Sequence, residues 1–241
     1  MSIIFYFDYG FKFYPLNYAM STKKLKEIAG KAKKNDFISI SELMTGIENK
    51  VFSRKEVSKH IFKESHKSLK IGITGPPGAG KSSLMNKLIP LIRKENLSVG
   101  VIAIDPSSPI TGGSFLGDRV RINNAVNDEN VFVRSMGSRA ELGGVTELAE
   151  DFSDILAFSG KDIIFIETVG VGQSEYSVSE ITDLTTLVFV PESGDEIQLL
   201  KAGILELADI FVVNKSDRKD SNLLVKSINN ILSSTKKDSK K

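Results

Sequence analysis

Eight consecutive residues, Gly75-Pro76-Pro77-Gly78-Ala79-Gly80-Lys81-Ser82, satisfy the spacing G-x-x-x-x-G-K-[ST]. The chemistry they suit is the grip of a polyphosphate. Glycines let the backbone curl so that successive N–H groups point inward at the β-phosphate, and a following helix directs its positive dipole end at the same anion. Lys81 can bridge β- and γ-phosphate oxygens, and the Ser82 hydroxyl suits a Mg²⁺ ligand.

A second motif, Asn214-Lys215-Ser216-Asp217, follows an apolar run as N-K-x-D. The Asp217 carboxylate can accept from guanine N1–H and the exocyclic amine, donors that adenine does not place there. Asn214 can reach N7 and the loop, and the stem of Lys215 can lie over the base plane. The expected ligands are therefore GTP and GDP with Mg²⁺. For the metal, carboxylates are sought at strand ends: Asp105 after an apolar run, Asp118 thirteen residues on, and Glu167 before Thr168-Val169-Gly170. Lys81, Asp105 and Glu167 are the expected catalytic residues, Ser82, Asp105, Asp118 and Glu167 the metal set, and Gly170 the glycine that senses the γ-phosphate.

These groups must be carried by strand ends. Short apolar runs at 69–73, 99–104, 131–133, 163–166, 187–190 and 210–213 alternate with helix-length segments. That alternation predicts a mostly parallel sheet with helices on both faces, the α/β architecture of a P-loop NTPase. Residues 82–93 form the clearest helix, with Leu84, Met85, Leu88, Leu91 and Ile92 on one stripe and Pro90 predicted to kink or end it. Upstream, residues 21–66 read as a small helical annex: Leu43, Met44 and Ile47 share a face, with Ser41 a candidate cap. The GTPase domain is placed at 67–232, with a helix over 223–232, and 233–241 reads as a disordered lysine-rich tail.

Composition narrows the classes. A chain of 241 residues with 41% apolar content can bury a core. A net charge of +2, from 32 basic and 30 acidic residues, is no footprint of a nucleic-acid binder. No run is long and apolar enough to span a membrane. With no cysteine and two histidines, His60 and His66, six apart, a metal-delivery GTPase is poorly supported, and a reducing, cytoplasmic setting is expected. Residues 1–20 hold 8 of the 19 aromatic residues and fit neither a secretory signal nor a mitochondrial presequence. The favoured reading is a non-native start, with the working chain beginning near Met20; the other is an aromatic docking arm.

The ordered set from Gly75 through Ser83, Asp105-Pro-Ser-Ser, Gly117-Asp-Arg119, Gly143-Gly144, Glu167 through Glu175, Gly194-Asp-Glu-Ile-Gln198, Glu206-Leu-Ala-Asp209 and Asn214 through Asp217 resembles the MeaB/ArgK group of GTPases. The resemblance covers about residues 67–217. It implies a GTP hydrolase that binds a cobalamin-dependent acyl-CoA mutase, methylmalonyl-CoA mutase, gates cofactor loading and protects the holoenzyme. It also implies that Asp195, Glu196, Gln198 and Lys201 form a switch sensing that partner. The family continues past its N-K-x-D motif with a strand, a serine-alanine loop to the guanine oxygen and dimerising helices, whereas this chain has 24 residues after Asp217. The dimer arm is accordingly expected to be absent. Gln173 is not assigned to the attacking water, and slow intrinsic turnover is expected. The alternative is a nucleotide- and partner-binding module without significant hydrolysis.

Overall fold

The computed structural model describes residues 22–61, 67–105, 128–137, 142–168, 178–194 and 208–238. Six strands, β1 (Leu69–Thr74), β2 (Val99–Asp105), β3 (Val131–Gly137), β4 (Ile163–Thr168), β5 (Leu184–Phe189) and β6 (Ile210–Val213), form one sheet in the order β3-β2-β4-β1-β5-β6. Every pairing is parallel. The runs read from sequence thus fall on strands, with two corrections. Strand β5 starts at Leu184 rather than 187, because Thr185 and Thr186 are buried β-branched residues that suit a strand while breaking the apolar run. Strand β3 continues to Gly137 as an edge strand, carrying Arg134 at its middle.

Alternation along each strand separates two cores. Ile73, Val99, Val101 and Phe165 face helix α4 (Lys81–Lys94) through Met85 and Ile89. Ile102, Ile164 and Ile166 face helix α5 (Leu142–Phe158), whose Phe152, Ile155 and Leu156 are fully buried. Helix α4 runs through Pro90 to Lys94, so of the expected kink or early end, the early end does not occur. A proline costs about 3 kcal/mol in a helix interior, through the hydrogen bond it cannot donate and the clash of its ring with the preceding turn, and burial of Met85 and Ile89 against the sheet helps to offset it. The stripe is also rotated from the expected one: Ile89 points inward and Leu91 is exposed.

Three helices, α1 (Thr22–Ala32), α2 (Phe37–Glu48) and α3 (Arg54–Ile61), make the N-terminal part. Their Leu25, Ile28, Ile40, Leu43, Met44 and Ile47 belong to the same core as α5 and β4. The cap of α2 is Asp36, not Ser41: its carboxylate accepts from the Ser39 N–H at 2.9 Å and from the Ser39 hydroxyl at 2.5 Å. Those bonds hold the Asp36 carboxyl below the usual carboxylate range.

Ion pairs fasten the helices laterally. Arg54 on α3 reaches Glu147 and Asp151 of α5, each at 2.6 Å; burial pushes the Asp151 carboxyl up while Arg54 opposes the shift. Arg134 on β3 pairs with Glu48 at 2.7 Å and lies over the Phe152 ring, 5.7 Å from its centre. A final helix, α6 (Ser221–Asp238), covers β5 and β6 through Leu224 and Ile228. Its backbone stays helical to Asp238, past the start of the expected tail at residue 233; no proline or glycine interrupts it.

Candidate functional site

The C-terminal ends of β1, β4, β5 and β6 bring the predicted chemistry together, as strand ends do in open α/β sheets. After β1 the chain turns through Gly75, Gly78 and Gly80, at φ +136°, +76° and +89°. Gly75 is required sterically by backbone, and a side chain at Gly80 would displace the Asn214 amide. A Cβ on Gly75 would lie 2.1 Å from the Val188 carbonyl oxygen, and one on Gly80 would lie 2.4 Å from Asn214 Nδ2. Left-handed backbone at both positions adds conformational cost to any replacement.

Inside this turn the Lys81 ammonium is buried and donates to the carbonyl oxygens of Gly75 at 2.6 Å and Pro76 at 3.1 Å. Those contacts place a cation within the curl, where an anion would need it. The adjacent Ser82 hydroxyl donates to Glu167 Oε1 at 2.7 Å, and Glu167, at the end of β4, is itself buried. A hydroxyl and a carboxylate, both hard oxygen donors, therefore converge beside the loop, a donor set that fits Mg²⁺. Ser83 sits one residue further along α4 and is exposed.

The loop after β6 closes the other side. Asn214 N–H donates to the Phe189 carbonyl at 2.8 Å, and its side-chain amide donates to the Ala79 carbonyl at 2.8 Å. Lys215, in the left-handed region at φ +54°, donates to the Gly78 carbonyl at 2.8 Å. A non-glycine residue pays about 1–2 kcal/mol for that backbone conformation, and the pose lets the ammonium turn back onto the phosphate loop. Asp217 is exposed in the same turn. Arg218 ties this turn to Glu192, in the short helix Pro191–Gly194 after β5, and holds the Glu192 carboxyl low.

The remaining site residues are placed less fully. The Asp105 backbone ends β2, beside β4 and opposite Gly137. Asp118, Gly170, Asp195, Glu196, Gln198 and Lys201 lie outside the described residues. Sequence reasoning missed the hydrogen-bonded threonines Thr74 and Thr168 at the ends of β1 and β4; the signal available was a polar residue closing each of two apolar strands. Among the described residues there is no group of three or more metal-ligating side chains, and no helix is long and apolar enough to cross a membrane.

Comparison with known proteins agrees with this geometry. A family model described as "Methylmalonyl Co-A mutase-associated GTPase MeaB" matches residues 40–241. A Pyrococcus horikoshii protein that carries a GTPase name is 46% identical over 83% of this chain and 63% of its own length. GTPase ArgK of Escherichia coli is 36% identical over 80% of this chain and 60% of its own. The mouse protein named methylmalonic aciduria type A homolog, mitochondrial, is 41% identical over 62% of this chain and 36% of its own. A crystal structure of a LAO/AO transport system kinase superposes with a TM-score of 0.68 at 26% identity, over 86% of this chain and 62% of the other. The nickel-bound HypB of Helicobacter pylori, at 18% identity and a TM-score of 0.50, shares the fold. The chain thus spans about three-fifths of the length of the first two relatives. Sheet order, phosphate loop and a family match over most of its residues lead to one conclusion: this chain belongs to the MeaB family of P-loop proteins.

Proposed function

We propose that this chain binds GTP and GDP with Mg²⁺, hydrolyses GTP slowly, and in the cytoplasm assists a cobalamin-dependent acyl-CoA mutase, of the methylmalonyl-CoA type, in loading and protecting its cofactor. The observation that carries the nucleotide assignment is the docking of Asn214 and Lys215 onto the carbonyls of Ala79 and Gly78. A guanine-reading motif and a phosphate loop are thereby held as one unit, and a nucleotide engages both at once. Support for the mutase comes from the family description and from the mouse relative's name.

In the reaction, a water oxygen attacks the γ-phosphorus in line, and the bond to the β–γ bridging oxygen breaks to leave GDP and phosphate. Lys81 and the loop amides hold the charge that develops on the phosphate oxygens. Ser82 and Glu167 are the residues to hold Mg²⁺, with Asp105 and Asp118 as further candidates. The ion, when bound, neutralises charge on the β- and γ-oxygens. Asp217 selects guanine, with Asn214 and Lys215 supporting the base. Gly170 registers the γ-phosphate, and Asp195, Glu196, Gln198 and Lys201 pass nucleotide state to the mutase. No side chain is assigned to orient water, which agrees with a slow intrinsic rate.

The test is Mg²⁺-dependent phosphate release from GTP and from ATP by the purified chain. Release from GTP at a rate well above that from ATP is expected. Equal release from both nucleotides contradicts the reading, and tight guanine-nucleotide binding without any release reduces it to a binding module.

A further inference from the structure

Thr74 and Thr168 end the neighbouring strands β1 and β4, one step beyond the registered pair Ile73 and Glu167. The Thr168 hydroxyl donates to the Thr74 hydroxyl oxygen at 2.9 Å, and the residues are 0% and 2% exposed. Along β4 the pair continues the apolar row of Ile164 and Ile166. Valine would extend that row, whereas each buried hydroxyl carries a desolvation cost that a shared hydrogen bond only roughly offsets. Stability alone does not ask for two threonines here.

Their neighbours in the chain give them a use. Thr74 immediately precedes Gly75, where the phosphate loop begins, and Thr168 lies two residues before Gly170. On the opposite face of β4, Glu167 accepts from Ser82. The last two residues of β4 therefore hold both flanks of the phosphate loop, its helix through Glu167 and its strand through Thr168.

We propose that the Thr74–Thr168 hydroxyl pair is a positioning clasp, fixing the end of β4, with its Glu167, against the start of the phosphate loop, so that it governs the γ-phosphate step and not guanine recognition. This inference rests on the reading of the site as a GTPase centre. Both threonines act through other groups and are positioning residues, not catalytic ones.

The experiment compares Thr168→Val, Thr74→Val, the double variant and Thr168→Ser in the full chain. Valine keeps the shape and removes the hydroxyl. Each single valine variant should lower kcat for GTP about tenfold, the scale of a small misplacement of reacting groups. The double variant should fall no further, GDP affinity should stay within about twofold of wild type, and Thr168→Ser should recover the rate. Wild-type turnover in the valine variants, or GDP affinity lost in step with kcat, overturns the clasp.

Amide hydrogen exchange on the nucleotide-free protein gives a readout independent of turnover. Thr168→Val should speed exchange at Gly75 and Ala79 as well as within β4; a change confined to β4 refutes the clasp. If a valine variant fails to fold, Thr74→Ser against Thr74→Ala supplies the same exchange comparison. A wild-type protein that hydrolyses no GTP removes the GTPase reading and leaves exchange to decide the clasp. Active wild type with indifferent variants removes the clasp alone.

Discussion

The N-terminal helices and the phosphate loop are both packed onto the same sheet, by opposite means. Where α2 meets the sheet and α5, Ile40, Leu43 and Met44 have no exposed surface, and the interface is apolar with charged pairs at its rim. Around the loop, order comes from polar groups bonding one another: Lys81 to Gly75 and Pro76, Ser82 to Glu167, Asn214 to Ala79, Lys215 to Gly78. An apolar interface tolerates changes of shape in proportion to volume. A network of mutually satisfied polar groups fails when one member goes. Substitutions in the two regions should therefore separate stability from chemistry.

The largest separation is expected from Lys81→Ala. Phosphate release from GTP should fall by at least about 10²-fold, since one charge-stabilising group is removed from the reacting phosphate. Thermal unfolding should shift far less than it does for a core truncation. A variant that hydrolyses GTP at the wild-type rate would break the contrast from the loop side.

Leu43→Ala tests the other side. Cavity formation at this fully buried position should cost about 2–5 kcal/mol in denaturant unfolding, with nucleotide affinity of the folded fraction unchanged. Loss of affinity together with stability would show that the helices shape the nucleotide site directly.

A smaller, pH-dependent effect is expected at the junction between the regions of α1 and β4. Lys161, just before β4, is buried; its ammonium donates to Asn35 Oδ1 at 2.7 Å and lies 4.9 Å from the centre of the Phe37 ring. Burial, with Arg93 nearby adding repulsion and Asp128 and Asp162 opposing it, lowers its pKa to about 8. The folded protein therefore binds fewer protons than the unfolded chain between about pH 8 and the ordinary lysine value near 10.5. Stability carried by this group is lowest below that window and rises with pH across it, by up to roughly 3 kcal/mol. Urea unfolding of wild type against Lys161→Met at several pH values should show that extra slope in wild type alone; parallel curves would remove the assignment.

The smallest effect is expected from Asp36→Ala, which removes the α2 cap. The melting temperature should fall by about 2–4 °C with no change in GTP turnover. A change in turnover would tie the cap to the site.

The same contrast accounts for what could be read from sequence. The loop residues Gly75 to Ser82 and the Asn214 motif were legible because their fixed positions, Gly75, Gly80, Lys81, Ser82, Asn214, Lys215 and Asp217, each carry a chemical demand that few residue types meet. Six strands were legible as apolar runs, but the start of β5 was hidden by Thr185 and Thr186, whose burial depends on partners across the sheet. Periodicity found the helix after the loop but turned its stripe, since Ile89 and Leu91 are equivalent by composition and differ only in what they face. The cap of α2 was misplaced for a related reason: Asp36 and Ser41 both suit a cap, and only the seating of Phe37 against Phe132, with ring centres 5.2 Å apart, settles where the helix begins. Lys161 was invisible, because a lysine declares no partner until the chain is folded around it, and Thr74 and Thr168 offered no more than a polar residue closing each of two apolar strands.

Guanine specificity is proposed to come from the Asn214 turn, fastened to the phosphate loop. Equilibrium affinity for GDP and ADP with Mg²⁺, measured for wild type and Asp217→Asn, tests it most directly. Wild type should prefer GDP strongly, and Asp217→Asn should lose GDP affinity by about 10²-fold or more, because a carboxylate that accepts two hydrogen bonds is replaced by an amide presenting a donor. An unchanged preference for GDP in Asp217→Asn would contradict the claim.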